Sequence, residues 1–266
     1  MGDRGGSGRF SGKAVIVTGG ASGIGEATIH RIVGESGSVL LVDIDEAGAG
    51  RVAADVAAAG LAGEVAVCVA DVSTIEGVDA MVADAADRWG RLDVVVNNAV
   101  TTEIGPVLGI SDEGWQRTFD VSVTAVWRSA KAAVPVMAAN GGGAFVNLST
   151  NAALAAVPGL GAYGAAKAGV IQITRQIAVE CAAQGIRANS ITPGVIMSPG
   201  IALLVQHHGR ERIEADLPGG LGQPAQLAAV VAFLGSDDAS YVNGENVQVD
   251  GGWFAKRSPG GLTFGV

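Results

Sequence analysis

The chain has 266 residues, of which 48% are hydrophobic and only 16% charged, which excludes a disordered chain and requires a large buried core. Its 26 acidic against 17 basic side chains give a formal charge of −9, which opposes binding to nucleic acid or to an anionic membrane surface. Two widely separated cysteines, Cys68 and Cys181, form no C-x-x-C motif; small core residues in a reduced, cytoplasmic setting are expected.

Residues 1–12 are glycine-rich and lack the apolar segment of a signal peptide, so a flexible arm is expected. Behind it, apolar runs at 14–18, 39–42, 65–69, 94–96, 144–148, 186–191 and 247–249 alternate with Ala-rich stretches of helical length. The runs are continuous in apolarity, the pattern of parallel strands covered on both faces by crossover helices. An α/β fold with a doubly wound parallel sheet of about seven strands follows, as one domain over residues 13–254. No run approaches the eighteen or so apolar residues of a membrane helix, so a soluble protein is expected. The longest strand-free stretch, residues 194–222, reads as a lid, and 255–266 as a tail whose Phe264 packs across a subunit boundary.

The first strand ends in Thr18-Gly19-Gly20-Ala21-Ser22-Gly23-Ile24-Gly25 and runs into a helix. Glycines 19, 23 and 25 would let backbone approach a pyrophosphate, and the helix N-terminus offers unpaired N–H groups and a positive dipole end. Alone, the turn is equally explained as a tight strand-to-helix connection. Asp43 adds weight to the first reading: it closes the second strand eighteen residues after Gly25, where a carboxylate takes both ribose hydroxyls of an adenosine. It would repel a 2′-phosphate, and no arginine stands close in sequence to welcome one, so NAD is expected over NADP. Further along, Tyr163 and Lys167 share one helical face at i, i+4, and an ammonium beside a phenol should lower its pKa and make it a general acid/base. Alone, this pair is better explained as an aromatic packed on a lysine stem.

Together these residues identify the chain as resembling the classical short-chain dehydrogenase/reductase family over nearly its whole length. The resemblance rests on the glycine turn, Asp71-Val72, Asn97-Asn98-Ala99, the Tyr163/Lys167 spacing, Pro193-Gly194 and Asp250-Gly251-Gly252. It implies a single-domain Rossmann fold, an NAD(P)-dependent alcohol dehydrogenase or ketone reductase, and a homotetramer. It places Asp71 and Val72 by the adenine, with Ile44 beside Asp43. Asn98 and Ala99 would lie by the cofactor ribose, Lys167 on the nicotinamide ribose, and Ile196 and Ser198, after Pro193 and Gly194, by the carboxamide. Tyr163 would carry the proton.

Three positions depart from the family pattern. The hydroxyl thirteen residues before the tyrosine is Thr150 rather than serine, and it keeps the hydrogen-bonding group. Ser122 stands where asparagine normally holds a water in a proton relay, and Val100 replaces a glycine beside the nicotinamide.

The expected pocket walls, Ala152, Leu154, Val195, Leu203 and Leu204, are apolar, so the expected substrate is a neutral, hydrophobic alcohol or ketone, cyclic in one version of this reading. His207-His208 lacks a third ligand at zinc spacing and reads as exposed loop; no metal is expected. Trp89, Trp115 and Trp127 read as core or interface residues. Trp253 reads equally as a pocket residue or a packed anchor. Two other functions compete: an NAD-binding sensor without turnover, and an NADPH-dependent 3-oxoacyl-carrier reductase. Asp43 opposes the second, and an intact Tyr163/Lys167 pair opposes the first. On the helix from residue 162 to 183, the small residues Ala165, Ala166, Gly169 and Ala178 are expected to allow close helix–helix approach between subunits.

Overall fold

The computed structural model describes residues 8–255. Seven parallel strands form one sheet: β1 (Ala14–Thr18), β2 (Ser38–Asp43), β3 (Glu64–Val69), β4 (Val94–Asn97), β5 (Gly143–Leu148), β6 (Ile186–Pro193) and β7 (Asn246–Val249). Their spatial order is β3-β2-β1-β4-β5-β6-β7, so the chain winds outward from β1 to one edge and then restarts on its other side at β4. This is a doubly wound Rossmann sheet whose direction reverses between β1 and β4, the place where such sheets open a crevice.

Although the strands read as continuous apolar runs, their side chains alternate between two cores. Val15, Val17, Leu41, Val94 and Val146 face one layer, made by α1 (Gly23–Gly34), α2 (Glu46–Ala58) and α9 (Pro224–Gly235). Ile16, Leu40, Val95 and Phe145 face the other, made by α3 (Ile75–Trp89), α5 (Ala125–Ala139) and α6 (Gly161–Glu180). The edge strands β3 and β7 are only partly buried because each has one neighbour and incomplete helical cover. Cys68, on β3, and Cys181, just past α6, are accordingly half-buried rather than core residues.

Local sequence sets the helix starts. Asp45, Thr74 and Ser111 each accept the backbone N–H three residues on, capping α2, α3 and α4 (Asp112–Phe119). Between α4 and α5 the chain widens into a π-helical turn, Asp120–Thr124, which carries Ser122. The remaining helices, α7 (Pro199–His208) and α8 (Arg210–Glu214), make up most of the expected lid.

Several expectations are corrected here. The arm expected over 1–12 is ordered at its end: Phe10 is 1% exposed in the core and Arg9 pairs with Glu35 at 2.6 Å, while residues 1–7 lie outside the described residues. The tail expectation, with Phe264, falls mostly on residues 256–266, also outside them. The histidine pair ends α7 instead of lying in a loop. Ala166 and Ala178 face the sheet, and Gly169 receives Val123 of the π turn; of the four small residues on α6 only Ala165 is exposed. Among the described residues no helix is long and apolar enough to cross a membrane.

Candidate active site

At the carboxyl ends of the strands lies a cleft of about 710 Å³. All of the expected site residues line it except Gly25 and Ser122, both buried beneath its floor. The end expected to hold the dinucleotide is built on the glycine turn, whose glycines divide the work. Gly19 has φ +65°, and a Cβ there would stand 2.8 Å from Ala99 Cα; a Cβ on Gly25 would stand 2.1 Å from Gly19 O. Those two glycines let the turn fold against itself. Gly23, at φ +58° with open space beside it, is the one that leaves room for a ligand at the start of α1. Ser22, the N-cap residue, is exposed and its side chain makes no capping bond.

Asn98 and Ala99 brace this turn from behind. The Asn98 amide nitrogen donates to Thr18 O at 3.0 Å and Gly19 O at 2.9 Å, while Thr18 Oγ1 accepts the backbone N–H groups of Asn98 and Ala99. Asp43 holds the crest: its Oδ2 accepts Ala21 N–H and its Oδ1 accepts Asp45 N–H, each at 3.0 Å. Each oxygen retains acceptor capacity toward the cleft. The expectation that no arginine lies nearby is corrected by the fold, because Arg51 of α2 donates to Ala21 O at 3.0 Å.

Asp71, expected by the adenine, is held by residues that its own sequence neighbourhood shows only in part. Ser73 N–H donates to its Oδ1 at 2.9 Å and Arg117, from α4, to its Oδ2 at 3.0 Å. Burial pushes the Asp71 carboxyl up, but the bonds from Ser73 and Arg117 hold it below the usual carboxylate range.

The catalytic end is set by α6 and β5. A buried polar chain fixes α6 to the sheet: Ser129 donates to Asn97 Oδ1 (3.0 Å), Asn97 to Asn147 Oδ1 (2.8 Å), and Asn147 to Thr174 Oγ1 (2.8 Å). One turn of α6 brings Tyr163 and Lys167 into the cleft together, with Lys167 Nζ 5.9 Å from the phenol ring centre. Lys167 is 3% exposed; its ammonium donates to Leu148 O at 2.7 Å, and burial lowers its pKa to about 8. Thr150 hydrogen-bonds Tyr163 and pulls its pKa down, yet burial dominates and leaves the phenol above its ordinary value. The expected lowering of the phenol by Lys167 is therefore not met in the protein alone: burial raises it, and the one opposing influence is the Thr150 hydrogen bond. Ser122, in the π turn, is 1% exposed and its hydroxyl has no hydrogen-bond partner among the described residues.

At the substrate end the expected walls are only partly right. Ala152 and Val195 line the cleft, but Leu154, Leu203 and Leu204 point away and are exposed; Val157, Leu160, Ile201 and Trp253 take their place. α7 has no buried residue, and the face that looks inward is the one carrying Ile201. Val100 also lines the cleft. Asn151 lines it as well, buried and with its carboxamide oxygen unpartnered among the described residues.

Comparison with known proteins agrees with this architecture. Residues 19–254 match the family model described as enoyl-(acyl carrier protein) reductase. The chain is 38% identical to cyclohexanol dehydrogenase of Acinetobacter sp. (strain SE19), covering 94% of this chain and 98% of that protein. It is 34% identical to the 3-oxoacyl-[acyl-carrier-protein] reductase of Thermotoga maritima, over 92% of this chain and 98% of that one. Among solved structures it resembles levodione reductase, with a TM-score of 0.87 at 34% identity, covering 92% of this chain and 99% of that one. The chain belongs to the classical short-chain dehydrogenase/reductase family. It is thus an oxidoreductase of a family that uses nicotinamide cofactors, and its relatives include alcohol dehydrogenases and ketone reductases.

Proposed function

We propose that the protein is an NAD-dependent dehydrogenase that interconverts a neutral, hydrophobic, ring-bearing secondary alcohol and its ketone. The observation that carries this reading is one cleft with Asp43 at one end and the Thr150–Tyr163–Lys167 cluster at the other. The open side of Gly23 at the N-terminus of α1 fits a pyrophosphate, held by Ser22, Gly23 and Ile24, with Gly19 and Gly25 shaping the turn. Asp43, an acceptor-only side chain when ionised, fits two ribose hydroxyls and opposes a 2′-phosphate; Ile44, Asp71 and Val72 frame the adenine. Asn98, Ala99, Pro193, Gly194, Ile196 and Ser198 surround the nicotinamide end, where the bound cofactor supplies or accepts the hydride.

In this reading Thr150 hydrogen-bonds the substrate oxygen and Tyr163 gives or takes its proton. Lys167, directed by Leu148 O, holds positive charge beside the phenol and contacts the cofactor ribose. Ser122, buried in the π turn that packs on α6, serves the outer proton path. The apolar lining from Val157, Leu160, Val195, Ile201 and Trp253 suits a ring without charge, and the likeness to a cyclohexanol dehydrogenase supports the same class. The exposed Trp115 and Trp127 on α4 and α5, with Val179 on α6, support assembly, which we assign as a homotetramer in the cytoplasm.

The test is NADH binding by fluorescence followed by turnover with cyclohexanol-type alcohols, anionic hydroxy acids and a 3-oxoacyl thioester, each with both cofactors. NAD-linked turnover of the cyclic alcohols, with at least a tenfold kcat/KM preference over NADP, is expected. An NADP preference, better use of hydroxy acids or the thioester, or binding with no turnover would overturn the reading.

A further inference from the structure

Glu26 places a carboxylate in the first turn of α1, the end of the helix suited to an anion. Left alone, that charge would oppose the phosphates of a dinucleotide. The fold supplies its counterpart from a different helix. Arg51, in the middle of α2, donates through Nη1 and Nη2 to the two Glu26 oxygens, both at 2.9 Å. The same guanidinium donates to Ala21 O at 3.0 Å and pairs with Asp55 at 3.1 Å. Since Ala21 N–H is held by Asp43, the peptide groups on either side of Ala21, at the crest of the glycine turn, are gripped by a carboxylate and by a guanidinium.

We infer that Arg51 is a positioning residue for the cofactor, whose charge cancels Glu26 and so sets the potential at the phosphate-binding turn. The inference rests on the nicotinamide-cofactor reading above, and it explains how a first turn bearing a carboxylate accepts a pyrophosphate. Arg51 is half-exposed, which makes its effect an electrostatic one that salt screens. A purely mechanical role, stapling α2 to α1, would fail equally whenever the pair is broken. A charge-cancelling role fails only when Glu26 is left bare.

The experiment is the NADH dissociation constant at low ionic strength for wild type, Arg51→Gln, Arg51→Lys, Glu26→Gln and the Arg51→Gln/Glu26→Gln double variant. Arg51→Gln should weaken binding about fivefold, from an uncompensated charge within about a nanometre of the phosphates. The double variant and Arg51→Lys should both return to within about twofold of wild type, and the Arg51→Gln defect should shrink at about 0.5 M salt, where the screening length falls to a few ångströms. An unchanged Arg51→Gln, or a double variant as weak as Arg51→Gln, overturns the inference while leaving the dehydrogenase reading intact. So does a defect that salt leaves unchanged, or an Arg51→Lys as weak as Arg51→Gln. A wild-type protein that binds neither NADH nor NADPH overturns both.

Discussion

The two ends of the cleft are built by different means. At the dinucleotide end, Asp43, Asn98 and Arg51 all bond to backbone of the glycine turn and the Thr18 hydroxyl accepts the backbone N–H groups of Asn98 and Ala99, so strand ends and a helix start are cross-braced within a few residues of one another. At the substrate end, the walls come from the segments around Val100 and Val157, from α7 and from Trp253, with few polar ties, and large apolar side chains such as Leu203 (57% exposed) stand outside the cleft. A rigid, backbone-fixed end suits a ligand that never changes, and a loop-built end suits a substrate that differs among relatives sharing one scaffold. Tyr163 and Lys167 sit at the seam, on a helix tied to the sheet by the Asn97–Asn147–Thr174 chain.

The sharpest separation of the two ends is Tyr163→Phe. Removing the phenolic hydroxyl should cost at least about 10²-fold in turnover, while the NADH dissociation constant changes less than about twofold. A variant that lost both together would show that Tyr163 belongs to the cofactor end.

Lys167 gives a stability test at the seam. Its pKa falls from an ordinary value near 10.5 to about 8 in the fold, so between those values the unfolded chain binds the proton that the folded chain has released. Stability must therefore rise with pH across that window, by about 3 kcal/mol at full effect, and below pH 8 the whole penalty is present. Denaturant titrations of the ligand-free protein at pH 7.5 and 10.5 should show this gain for wild type relative to Lys167→Met; equal pH profiles would mean that the ammonium is well solvated.

The smallest of these effects lies wholly within the dinucleotide end. Asp43→Ser removes the like charge facing a 2′-phosphate and should raise the NADP/NAD ratio of kcat/KM about tenfold. An unaltered ratio would show that Asp43 serves only to hold Ala21 N–H.

The dinucleotide end was legible in the sequence because its signals are local. Seven apolar runs became seven strands with boundaries shifted by at most two residues, and the glycine turn, Asp43 and the Tyr163/Lys167 spacing all fall within short windows. What escaped depends on distance along the chain. Arg51 reaches Glu26 across 25 residues and Arg117 reaches Asp71 across 46, and neither pairing leaves a pattern in its own neighbourhood. Leu203 and Leu204, expected as pocket walls for being apolar, stand outside the cleft because α7 is apolar on more than one side and its inward face is the one that Ile201 occupies. The direction of the Tyr163 shift was missed for a related reason: how deeply the pair is buried is a property of the whole fold.

Phe10, finally, bears on how this molecule assembles in time. Its ring fills a slot beside β1 whose far wall is Gly235, at the end of α9, and neighbouring Arg9 meets Asp238 across 229 residues. Residues near the start of the described chain thus wait for others 229 positions on before their seat is complete. Closing so long a loop slows folding and leaves one core open until its last helix forms. The face of α1 against which α9 packs, and the core beneath it, stay partly uncovered until α9 arrives.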